Sequence, residues 1–133
     1  MSITPVRLAG LLIPPLTVMA VIFYLSAQPS AGDYPAWEVA LRKLGHATGY
    51  ALLALAWWRA FRGMLSPSDH FVALLAVAVS LAYAVSDEIH QTFVAGRHGS
   101  PVDVLVDAAG IAAALVLAIR LSRRPHALRR QET

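Results

Sequence analysis

The sequence predicts an all-α integral membrane bundle of four transmembrane helices with both termini in the cytoplasm. Three observations carry that prediction. Apolar residues make up 57% of the chain and charged residues 14%, where soluble domains carry roughly 25% charged. Four apolar stretches each approach the ~20 residues that a helix needs to cross a bilayer. Basic residues gather near the N-terminus (Arg7), in the second connection (Arg59, Arg62) and in the tail (Arg120, Arg123, Arg124, Arg129, Arg130). By the positive-inside bias these segments face the cytoplasm of an inner-membrane protein.

The first span is expected over 6–25. Its apolar run exceeds the ~7–15 residues of a secretory signal core, and no small-x-small cleavage site follows, so it reads as a retained helix. Pro14-Pro15 removes backbone donors within it and predicts a kink, tolerated in membranes where neighbours satisfy the freed carbonyls. The second span is expected over 44–61 and the third over 71–91, capped by Ser66-Pro67-Ser68-Asp69. The fourth, over 102–121, starts with Ser100 as N-cap and Pro101 at the first helical position, followed by Asp103. Residues 1–122 then form one transmembrane domain, with a basic cytoplasmic tail over 123–133. The 26–43 and 92–101 connections lie outside. The absence of cysteine excludes disulfides, thiol nucleophiles and zinc–thiolate sites. The arginine cluster reads as a membrane anchor rather than a nucleic-acid surface; the bilayer is the expected partner, and a homo-oligomer is compatible with the chain.

Against this apolar background one run concentrates the polar chemistry. It goes from Ser86-Asp87-Glu88-Ile89-His90-Gln91 through Gly96-Arg97-His98-Gly99-Ser100-Pro101 to Asp103 and Asp107. Ionisable groups in a bilayer cost up to roughly 2.5–3.5 kcal/mol each on insertion scales, so they call for partners, water or a function. Helical periodicity brings Lys43, His46 and Tyr50 onto one face of the second helix. It does the same for Tyr83, Asp87 and Gln91 on the third, with His90 beside them, and for Asp103, Asp107 and Gly110 on the fourth. Glycine at 110 would let another helix approach closely. A rise of about 1.5 Å per residue puts Asp107 roughly 9 Å below Pro101, Tyr50 about 10 Å below Lys43, and Asp87 about 6 Å below Gln91. The expectation is one pocket open to the outside, built from Lys43, His46, Tyr50, Asp87, Glu88, His90, Gln91, Arg97, Asp103 and Asp107.

In that pocket Arg97 and Lys43 suit a phosphate or carboxylate, such as a lipid head group or lipid-linked precursor. Plainer roles compete. Asp103 suits a helix N-terminus, Lys43 can snorkel to the interface, and a His46–Asp107 pair can simply specify packing. His46, Asp87, Glu88, His90 and Asp107 are donors suited to zinc or manganese, yet their spacing matches no closed ligand motif, so no metal or cofactor is expected. For catalysis the candidates are His90, Glu88 and Asp87 as acid–base groups. A Ser86–His90 pair lacks a nucleophile context, and back-bonding is the simpler role for that serine. The question of an enzyme stays open, leaning towards none. Transport is disfavoured by the absence of an inverted repeat.

At these residues the chain resembles the VanZ-like membrane proteins, a family named for an accessory protein of glycopeptide resistance clusters. The resemblance runs through Phe23-Tyr24-Leu25-Ser26-Ala27-Gln28-Pro29, Lys43-Leu44-Gly45-His46 with Tyr50, and Ser86 to Phe93. It continues through Gly96-Arg97 to Asp103, Asp107 and Gly110. Two departures stand out: Ala95 where the family often has proline, and Asp107 where asparagine is common, which weakens any role for Asp107 as an obligatory base or metal ligand. The resemblance implies a small multi-pass protein and, by analogy, reduced susceptibility to teicoplanin; with the pocket read from the residues, the expectation is a cell-envelope protein that binds an envelope lipid or precursor. A membrane-embedded enzyme on a lipid-linked substrate, or a helix-packing assembly factor, are the alternatives.

Overall fold

The computed structural model describes residues 3–30, 32–65 and 68–128. Four helices follow one another: α1 (Pro5–Ser26), α2 (Ala36–Met64), α3 (Asp69–Gln91) and α4 (Pro101–Leu128), with no strand among the described residues. Three of them, α1, α3 and the 101–122 part of α4, are long and apolar enough to cross a membrane. At about 1.5 Å per residue, 22 residues of α1 span about 33 Å, close to the ~30 Å hydrocarbon core. Ile13, Leu16, Val21, Leu74, Leu105 and Leu117 are all more than half exposed, an exterior suited to lipid rather than water.

Helix α2 is the exception and also the centre of the bundle. It packs most extensively on α4 and also meets α3 and α1, whereas α1 barely touches α3. Glu38, Arg42, Lys43 and His46 near its start and Arg59 and Arg62 near its end make it less apolar than its neighbours. Tyr50, Leu53 and Ala54, between those ends, lie in the core with Ala76, Ala84, Ile111 and Leu115. The small residues let helix backbones come close. At Gly110 an added Cβ would collide with the Ala47 carbonyl, so glycine is what permits the α2–α4 approach.

Two boundaries differ most from the sequence expectation, and the α2 end also moves from 61 to Met64, which places Arg59 and Arg62 in the helix rather than in the connection after it. Helix α2 begins at Ala36, eight residues before 44. An Arg42 Nη2–Glu38 Oε1 pair at 2.9 Å, one helical turn apart, stabilises this added segment, and the Arg42 guanidinium lies 3.9 Å over the Tyr34 ring. Helix α4 continues to Leu128, into the segment expected as tail; residues 129–133 lie outside the described residues, as do Ser66 and Pro67. The Ser68 cap is present, its hydroxyl accepting the Phe71 amide at 3.4 Å.

Pro14 and Pro15 lie inside α1, which remains one helix. Pro14 cannot donate to the Gly10 carbonyl. That carbonyl instead accepts Nη1 of Arg59 from α2 at 3.2 Å. Further along, the Tyr83 hydroxyl of α3 donates to the Met19 carbonyl at 2.7 Å. Both bonds attach α1 to the bundle through its main chain.

Candidate functional site

The C-terminal ends of α1 and α3 and the N-terminal ends of α2 and α4 meet at one end of the bundle. Here the polar residues converge. Lys43 on α2 forms an ion pair with Asp103 on α4. One turn deeper, His46 Nδ1 lies 3.7 Å from Oδ2 of Asp107, which is fully buried. Gly110 follows on the same face of α4, against Ala47. The i, i+3 and i, i+4 spacings on the two helices thus match rung for rung. Tyr50 continues the α2 face, 1% exposed, its ring 6.4 Å from His46 and 6.3 Å from Tyr83.

Helix α3 supplies the acids. Asp87, Glu88 and Gln91 are all buried. The Ser26 hydroxyl, closing α1, donates to Asp87 Oδ2 at 2.8 Å, and Gln91 Nε2 donates to the same oxygen at 3.2 Å. Glu88 Oε2 accepts the main-chain amide of Ser100 at 2.7 Å, tying α3 to the start of α4. This contact requires the loop to lie flat on α3. Glycine at 99 allows it, because a Cβ there would meet the Glu88 carbonyl and, at 2.9 Å, a Thr92 methyl. Gly96 adopts φ 72° beside the Ser30 carbonyl, a conformation suited to glycine.

That loop aims Arg97 back at α1. Its Nη2 donates to the Leu25 carbonyl at 3.1 Å, Nε to the Gln28 carbonyl at 2.9 Å, and Nη1 to Gln91 Oε1 at 3.4 Å. The guanidinium therefore satisfies a carbonyl in the last turn of α1, as cations near helix C-termini do. A cleft of about 560 Å³ opens beside it, lined by Ser26, Arg42, Lys43, His46, Arg97 and Asp103 among others.

Of the expected site residues, Lys43, His46, Gln91, Arg97 and Asp103 line this cleft. Asp87, Glu88 and Asp107 lie buried beneath or beside it, and Tyr50 is in the core. His90 is set apart: its ring stacks on Phe23 at 4.8 Å and does not line the cleft. Ser86 donates back to the Tyr83 carbonyl at 2.7 Å, so it is not paired with His90. Ser26 was not singled out as a site residue from sequence. Its place in the Phe23–Pro29 block that closes α1 is the sequence signal by which it can be found.

A membrane-type helical bundle with a buried acidic cluster and a cation-lined cleft at one end is the class of protein this geometry defines. The chain belongs to the VanZ/LLP1 family, whose model matches residues 4–122. That membership and the three helices long and apolar enough to cross a bilayer support a membrane protein. Neither a curated protein nor a solved structure matches it.

Proposed function

We propose that the cleft binds the anionic head group of an envelope lipid or lipid-linked precursor, and that the protein thereby lowers susceptibility to glycopeptides such as teicoplanin. In this reading α2 completes a four-span inner-membrane bundle with both termini cytoplasmic, and the cleft faces outward. Arg59 and Arg62 in the last turns of α2 support that orientation.

The observation that carries the proposal is the composition of the lining: Arg42, Lys43 and Arg97 are basic side chains, and Asp103 is the acid set against them. They keep donors to spare. Lys43 has three N–H groups with one directed at Asp103, and Arg97 has five with three engaged. Tyr24 and Trp37, both about two-thirds exposed at this end, suit the head-group level where aromatic rings anchor. Phosphate oxygens entering the cleft would replace water on the free donors of Lys43 and Arg42.

Native mass spectrometry of the purified chain from nanodiscs tests this, with phosphatidylglycerol and a polyprenyl diphosphate offered against phosphatidylcholine. The anionic lipids should be retained at least tenfold better, and Arg42→Gln should lower that retention without unfolding the protein, since Arg42 is exposed and pairs with Glu38 one turn away and with the Tyr34 ring. Equal retention of all three lipids would refute the proposal.

A further inference from the structure

Below the cleft, α3 and α4 bring three buried acids together without matching cations. Asp87, Glu88 and Asp107 are 3%, 5% and 0% exposed. The nearby basic groups are largely committed elsewhere, Lys43 to Asp103 and Arg97 to α1 carbonyls and Gln91. That leaves His46 facing the cluster. Carboxylates held this deep in a low-dielectric interior require compensating positive charge or protons.

The donor atoms have a particular arrangement. One ligand atom each from His46, Glu88 and Asp107 lies within 4.8 Å of the others. Both carboxylate oxygens of Asp107 and Nδ1 of His46 are buried and have no hydrogen-bond partner. Their 3.7 Å separation is too long for a hydrogen bond. It is close to the spacing of two donors on one ion, since bonds of about 2.1 Å at tetrahedral or wider angles put the donors roughly 3.4–3.7 Å apart. Glu88 is held for such a role: the Ser100 amide on Oε2 fixes the carboxylate, which retains further lone pairs. The three residues come from α2, α3 and α4, which is why no ligand motif appears along the chain.

We propose that His46, Glu88 and Asp107 bind one divalent cation of the zinc class, which neutralises the buried acids and clamps α2, α3 and α4 together. One imidazole and two carboxylates suit zinc or manganese better than magnesium, which keeps most of its water. Three protein ligands leave a coordination position open, and His46 also lines the cleft. This site is independent of the head-group reading, and its test uses the metal alone.

The untagged full-length protein, purified in detergent and stripped with chelator, would be titrated with Co²⁺ as a spectroscopic probe and then with Zn²⁺. The expected result is one Co²⁺ per chain with visible d–d bands, displaced by one equivalent of Zn²⁺ and not by millimolar Mg²⁺. His46→Ala and Glu88→Gln should each weaken Zn²⁺ binding at least tenfold. Asp107→Asn, which keeps an oxygen donor, should weaken it less than Asp107→Leu. His70→Ala at the far end of α3 should bind as the parent does. Because the cobalt spectrum is read on the unmutated chain, variants that fail to fold do not obscure the answer. Absence of bound Co²⁺ and Zn²⁺ at micromolar free metal would overturn the proposal. So would binding that survives in folded His46→Ala and Glu88→Gln, or that His70→Ala abolishes.

Discussion

A methyl group added at Gly110 would run into the Ala47 main chain, with the carbonyl carbon 3.0 Å and the Cα 3.1 Å from the new Cβ. Carbon pairs prefer roughly 3.5–4.0 Å, and a main chain cannot rotate aside as a side chain can. Overpacking costs typically about 1–3 kcal/mol, and a rigid obstacle belongs at the upper end. Alanine returns about 1 kcal/mol of helix propensity. Gly110→Ala should therefore lose about 2 kcal/mol net, or roughly thirtyfold in the folding equilibrium. The measurement is SDS-driven unfolding in mixed micelles, followed by tryptophan fluorescence. Gly10→Ala and Gly45→Ala are the internal controls, because a Cβ at either position meets nothing within 4 Å. Both should be neutral or stabilising by up to about 1 kcal/mol. A Gly110→Ala protein as stable as the parent would show that α2 and α4 are not in this close contact. The same displacement would part His46 from Asp107, so the variant should also bind Zn²⁺ more weakly.

Three further outcomes follow from the hydrogen bonds. Arg97→Ala removes three bonds made by a cation and should cost about 2 kcal/mol or more; its abundance in membranes should fall, and normal abundance would mean that Arg97 does not fasten α1. Ser26→Ala withdraws the hydroxyl from buried Asp87 and should cost about 2 kcal/mol, measured by the same unfolding, while an unchanged midpoint would place Ser26 away from the acid. Arg59→Met should cost about 1 kcal/mol by freeing the Gly10 carbonyl. Pro14→Ala supplies an amide to that carbonyl, so the arginine should matter less in the Pro14→Ala background; strict additivity in a double-mutant cycle would contradict the pairing.

Helix number, order and approximate limits were legible because apolar run length and the proline and glycine breaks are local properties. The same periodicity that placed Lys43, His46, Asp103 and Asp107 on facing sides also foresaw the role of Gly110 as a point of close approach. Three things were not legible. The early start of α2 depends on Glu38–Arg42 and Arg42–Tyr34 contacts, which hydropathy does not register. Arg97 read as an anion contact by residue type, but its first partners are main-chain carbonyls, and those carry no sequence signature. His90 shares a helix with Asp87 and Glu88 yet turns towards Phe23, and periodicity alone could not say which neighbour would take its ring.

The fastening of α1 has a consequence for how this protein tolerates change. Arg59 grips the carbonyl of Gly10, Tyr83 that of Met19 and Arg97 that of Leu25, anchors spread over about 22 Å of helix. Each donor addresses an atom that every amino acid possesses. Leu11, Pro15, Val18, Met19, Ile22 and Ser26 face the bundle, but the outward residues of α1, such as Ile13, Leu16 and Val21, can be exchanged for other apolar ones while its position is kept. Variation among related chains should therefore collect on the outward face of α1 before Phe23 and spare the three side chains that hold the helix.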